Sequence, residues 1–155
     1  MPVNVRRPSV SARRFGYILA ATITAAMFYI INVWPGWHEV PFLTDDTSQV
    51  LWLVNASLVA SIAANVVYAA YDPPWLKSLG DLVTTGIGLA VLVRVWQVFP
   101  FDFSSYSVNW GVLARFLLVV AIVGSIIGIT VQVVSLIRLA IDGGAGAGRR
   151  GEVRQ

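Results

Sequence analysis

The chain contains no cysteine, a single histidine (His38) and a single lysine (Lys77), and only 12% of its 155 residues are charged. Without cysteine there are no disulfides, no thiolate metal sites and no cysteine nucleophile. A lone histidine supplies neither the pair that a bis-histidine haem needs nor a typical zinc centre, and no HExxH or CxxC motif accompanies it. Charge is scarcer than the roughly 25% of an ordinary soluble domain, while 57% of the residues are hydrophobic and the mean hydropathy is +0.72. This composition excludes an ordinary water-soluble domain and predicts a membrane protein. The net charge of +3 and pI near 9.7 do not indicate nucleic acid, because the arginines sit mainly at the chain ends beside apolar segments.

What the chain does have is four long apolar stretches, at 15–34, 50–71, 79–99 and 111–141. A helix needs about 20 residues to cross a hydrocarbon core of roughly 30 Å, and each stretch meets that length. The connecting segments are short and marked by Pro35, Gly36, Pro41, Pro73, Pro74 and Pro100, so they read as turns. Asp72 ahead of Pro73 and Pro74 predicts a helix N-cap, with the third helix starting near Trp75. The apolar run from Phe15 is longer than the 7 to 15 residues or so of a signal-peptide core, and no A-x-A motif precedes Trp34, so the first span is expected to be retained.

Basic residues orient the spans. Arg6, Arg7, Arg13 and Arg14 precede the first span, Lys77 lies between the second and third, and Arg138, Arg149, Arg150 and Arg154 close or follow the fourth. The intervening loops carry Glu39, Asp45, Asp46 and Asp102 instead. The positive-inside rule then predicts an all-α, four-helix transmembrane bundle with both termini cytoplasmic. Trp34, Trp37, Trp52, Trp96 and Trp110 fall at the opposite boundary, where amphipathic rings prefer the headgroup region. Residues 1–14 form a basic cytoplasmic tail, 15–141 the bundle, and 142–155 a flexible glycine- and arginine-rich tail.

Helices in lipid associate through small residues and a few polar side chains rather than through hydrophobicity. Each span has such a face: Gly16, Ala20 and Thr24; Ser57, Ser61, Asn65 and Tyr68; Gly80, Thr84 and Gly88; and Ala121, Gly124, Ser125, Gly128, Gln132 and Ser135. Together they predict a compact bundle. Gly124 and Gly128 also form a GxxxG motif, which serves packing within one chain or between two copies. Ser57, Ser61, Asn65, Ser125 and Gln132 are the candidates for an interior polar track, against the simpler reading of interhelical hydrogen bonds. Asn55 is a further interior amide.

Arg94 interrupts the third span. The uncharged run Leu82 to Val93 covers only about 18 Å at 1.5 Å per residue, less than the core thickness. Arg94 and Arg115 therefore read first as side chains reaching to the interface, with Asp45, Asp46 and Asp102 as partners. Second, with Gln97 and Tyr106, they are candidates for an anion or lipid-headgroup site. Asp81 is expected to pair with Lys77, four residues earlier on the same helical face. A weak repeat links "NVWPGWHEVPF" (32–42) with "RVWQVFPF" (94–101), each ending a span with Val-Trp and then Pro-Phe.

The alanine, valine and arginine bias, with Lys77 the one lysine, resembles that of small four-span membrane proteins of high-GC Gram-positive (actinobacterial-type) bacteria. The resemblance implies a bacterial plasma (inner) membrane and names no activity. Small multidrug exporters share the length and span number, but the acid they embed in their first helix has no counterpart in 15–34. No nucleophile elbow, triad or acid–base pair is present, so the expectation is a non-enzymatic protein without cofactor or metal. Its partners would be the lipid bilayer and either a second copy or another membrane protein. The alternative is a small transporter or channel for a polar or anionic solute.

Overall fold

The computed structural model describes residues 9–107 and 109–152, with side chains described through residue 141. The arginines expected to anchor the tails at 6, 7, 149, 150 and 154 thus fall outside the described side chains. Four helices account for nearly all of the chain: α1 Val10–Asn32, α2 Ser48–Ala70, α3 Pro74–Val98 and α4 Trp110–Glu152. Each is long and apolar enough to cross a membrane, α4 through its portion Trp110–Ile141.

The helix ends follow from local chemistry. Ser9 caps α1, its hydroxyl accepting from the Ala12 N–H at 3.3 Å. At the other end Pro35 removes a donor and halts the helix. The Trp34–Pro35 peptide is cis and Gly36 turns at φ 90°, a conformation that favours glycine. Pro74 occupies the first turn of α3, where a missing N–H is tolerated. The residue at the cap position is Pro73, and Asp72 makes no capping bond. The expectation of an aspartate cap is therefore corrected, because Asp72 is engaged elsewhere. α3 ends on Phe99, which adopts the left-handed conformation (φ 45°) and returns its N–H to the Val95 carbonyl at 2.8 Å. Expected to end at Ile141, α4 continues as helical backbone to Glu152. Extending an existing helix through glycine costs only about 1 kcal/mol per residue, and no proline intervenes to stop it.

Extensive helix contacts join α1 with α2, α2 with α3, and α3 with α4. The bundle is thus an open succession in chain order, with each helix leaning on its predecessor, rather than a compact ring of four. Very little is enclosed: Val50 is 3% exposed, Tyr68 4% and Thr47 6%, and Pro100 is fully buried. Large apolar side chains such as Phe15, Trp34, Trp52 and Phe116 are exposed along the helices. A water-soluble chain of this length would bury about two thirds of its unfolded surface, so lipid is the solvent these faces suit.

At the loop end the two connections clasp each other. Leu43 and Phe101 form an antiparallel bridge, Thr44 donates to the Pro100 carbonyl at 3.1 Å, and Asp102 donates its N–H to the Phe42 carbonyl at 2.9 Å. Phe42 and Phe103 stack at 5.7 Å and Phe101 and Phe103 at 5.9 Å. The two Val-Trp…Pro-Phe segments of the weak repeat therefore meet through their Pro-Phe ends.

Candidate functional site

At the end that carries the chain terminus and the α2–α3 link, three helices are tied by one polar cluster. Arg13 and Tyr17, four residues apart on α1, share a face. Both reach Asp72, whose Oδ2 lies 2.9 Å from Arg13 Nε and whose Oδ1 accepts from Tyr17 Oη at 3.0 Å. On α3, Lys77 Nζ is 2.7 Å from Asp81 Oδ2, the pairing expected from their spacing. Tyr68 of α2 places its hydroxyl 3.1 Å from the Lys77 carbonyl and 3.2 Å from Asp81 Oδ1. A phenol has one proton, so these two acceptors share it. The ammonium of Lys77 sits over both tyrosine rings, 5.3 Å from the Tyr68 centroid and 5.8 Å from that of Tyr17. The rings themselves meet edge to face at 5.6 Å.

Gly80 makes this possible. A Cβ there would collide with the Tyr68 hydroxyl and stand 2.9 Å from its Cζ. Two cations face two carboxylates, so the cluster is neutral as a unit. Its arrangement suits bracing α1, α2 and α3 at one level of the bilayer. Among the described residues no group of three or more histidine, aspartate or glutamate side chains is placed to hold a metal.

The proposed interior track is divided between two helices. Ser57, Ser61 and Asn65 belong to α2, where Asn65 Nδ2 donates to the Ser61 carbonyl at 2.8 Å. Ser125 and Gln132 belong to α4, where Ser125 bonds back to the Ala121 carbonyl at 2.8 Å. α2 packs on α1 as well as on α3, whereas α4 packs on α3. Gln132 crosses to it, donating from Nε2 to Thr85 Oγ1 at 3.2 Å, while its Oε1 is enclosed without a partner. Asn55 exchanges two hydrogen bonds with Asn32 of α1, at 2.8 and 2.7 Å. A Cβ on Gly128 would stand 3.9 Å from Thr85 Cγ2, whereas Gly88 and Gly124 have open space where a side chain would stand.

The two loop-end arginines have separate surroundings. The Arg115 guanidinium lies 4.1 Å from the Phe99 ring centroid and 5.5 Å from that of Trp96. Arg94 and Gln97 are exposed on α3, and Arg94 makes no ion pair among the described residues. Tyr106 meets Phe103 edge to face at 6.3 Å. Two of the acids expected nearby are otherwise engaged: Asp46 accepts from Gln49 at 2.8 Å, and Asp102 from the Ser104 N–H at 2.9 Å. That N–H is the main reason the Asp102 carboxyl is held below its ordinary pKa.

Sequence reasoning did not identify Tyr17 as the partner of Asp72, Asn32 as that of Asn55, or Thr85 as that of Gln132. The one local signal was the four-residue spacing of Arg13 and Tyr17, which marks a polar face at the start of α1. No protein-family model matches the chain, and no curated protein or solved structure matches it either.

Proposed function

We propose that this chain is a non-catalytic multi-pass protein of the bacterial inner membrane, with both termini cytoplasmic, that acts by associating with a second copy or with another membrane protein. The observation that carries this reading is the open succession of helices. Within the chain α1 packs chiefly on α2 and α4 chiefly on α3, and a side chain at Gly124 of α4 would extend into open space. Small residues on a lipid-facing helix allow a second helix to approach closely. The positive-inside pattern supports the orientation, since Arg13, Arg14 and Lys77 lie toward one end and Glu39, Asp45, Asp46 and Asp102 toward the other.

The test is purification of the tagged protein from native membranes in mild detergent, with native mass measurement, alongside disulfide trapping of Gly124→Cys. The chain lacks cysteine, so the introduced thiol is the only one. A stoichiometric partner, or a trapped dimer, is the expected result. A monodisperse monomer that does not cross-link would overturn the reading in favour of a small solute transporter.

A further inference from the structure

α3 packs on α2 and on α4, and its third side is left exposed. Leu79, Val83, Gly86, Ala90, Val93 and Gln97 recur there at steps of four, three, four, three and four residues. A 3.5-residue repeat of this kind keeps one seam turned toward a single neighbouring helix along a whole span. Leu79, Val83, Ala90 and Val93 are exposed, and a side chain at Gly86 would extend into open space. Acyl chains cover such a seam equally well, so on its own it names no occupant.

Arg94 does. It stands beside the seam on the same side of α3, exposed, four residues before the last residue of the helix and five before Phe99, and so about 8 Å below the helix end at 1.5 Å per residue. Neither its guanidinium nor the Gln97 amide, three residues on, makes a hydrogen bond or ion pair among the described residues. Arg115, by contrast, lies over the Phe99 and Trp96 rings. Ionisable groups within spans are costly and almost always face protein or a water-filled cavity, where they pair. The complement of Arg94 is a carboxylate, which accepts two parallel N–H bonds from a planar guanidinium. A lipid phosphate offers similar oxygens, but it has no need of Gly86 and Ala90 on the same side, small residues that let a second helix backbone come close.

A second copy of this chain does not carry that carboxylate in its spans. In α1, α2, α3 and α4 as far as Ile141 the one acid is Asp81, which lies toward the opposite end of α3 and is held by Lys77 and Tyr68. Glu39, Asp45, Asp46 and Asp102 lie outside these helices.

We propose that the exposed side of α3 docks a transmembrane helix of a different protein, one that carries an aspartate or glutamate level with Arg94 and pairs with it there. The proposal rests on the association reading above and puts the contact with an unlike partner on α3, apart from Gly124 of α4.

In the full chain, expressed in native membranes, a diazirine-bearing amino acid would replace Val83 on the seam or, as a control, Ile23, which is exposed on α1. After irradiation the adducts would be purified under denaturing conditions and identified by mass spectrometry. The expected result is one discrete protein adduct from position 83 and none from position 23, with an acid in the cross-linked span, and several-fold less of it in Arg94→Gln. Arg94→Glu abolishes the adduct, and exchanging the partner's acid for arginine restores it, which shows that the variant folds. Adducts to lipid alone, an adduct unchanged by Arg94→Gln, no restoration by the charge exchange, or capture of a second copy would each overturn the proposal. A Gly124→Cys dimer that persists while position 83 labels only lipid would remove this contact and leave the association reading standing; loss of both would remove both.

Discussion

Tyr68 concentrates the chemistry of the polar cluster in one hydroxyl, shared between the Lys77 carbonyl and the Asp81 carboxylate. Replacing it by phenylalanine keeps the ring beneath Lys77 and removes only the proton donor. The expected loss is about 0.5 to 1.5 kcal/mol, the ordinary worth of such a bond, read by thermal unfolding in detergent micelles. Asp72→Ala should do more, because it removes the acceptor shared by Arg13 and Tyr17; a loss of about 1 to 3 kcal/mol is expected. Asp102 offers a titration. The Ser104 N–H stabilises its charged form and lowers its pKa in the folded chain. Its contribution is therefore fully present above the unfolded value and is lost as the pH falls through the lowered one. A carbon-detected NMR titration should place the midpoint below that of an ordinary aspartate, and Ser104→Pro, which deletes the N–H, should return it toward that value. The sequence reveals the Lys77–Asp81 pair because both members lie on one helical face. It conceals Arg13–Asp72, since 59 residues separate the partners and no local spacing says which cation lies across a helix boundary from Asp72.

At the level of the helix, Gly80 is where α2 and α3 depend on the missing side chain. Gly80→Ala drives a methyl group into the Tyr68 ring, and such overpacking typically costs about 1 to 3 kcal/mol. The same change at Gly16 or Gly88, where space is open, should be neutral or stabilising by up to about 1 kcal/mol through helix propensity. Comparing the three by unfolding in micelles separates packing from propensity. The Gly80→Ala cost should shrink in a Tyr68→Phe background, which lacks the hydroxyl oxygen that meets the new methyl; additive effects would refute the contact. Apolar run length and proline placement located all four helices to within a few residues at most ends. The main departures were the start of α1, already helical at Val10, and the far end of α4, where glycine content suggested flexibility. The two Val-Trp…Pro-Phe segments were visible as similar strings, but their clasp was not, because one bridge and two backbone bonds leave no periodic trace.

For the molecule as a whole, span number was legible and neighbour choice was not. Every helix carries a stripe of small or polar residues, and lipid provides no contrast in hydrophobicity to say which stripe faces which. The orientation proposed here can be read directly in a chain without cysteine: in right-side-out vesicles, an impermeant maleimide should label Ser105→Cys and spare Ser9→Cys until the membrane is opened. Labelling in the reverse pattern would invert the topology. The order of packing bears also on how the protein is made. As α2 leaves the ribosome its partner α1 is already in place, and the same holds for α3 and then α4, so each helix can dock as it is synthesised. Only the bonds between the first loop and the third must wait for the second half of the chain. Synthesis arrested after α2 should therefore leave a membrane-held hairpin with its Asn32–Asn55 bonds made.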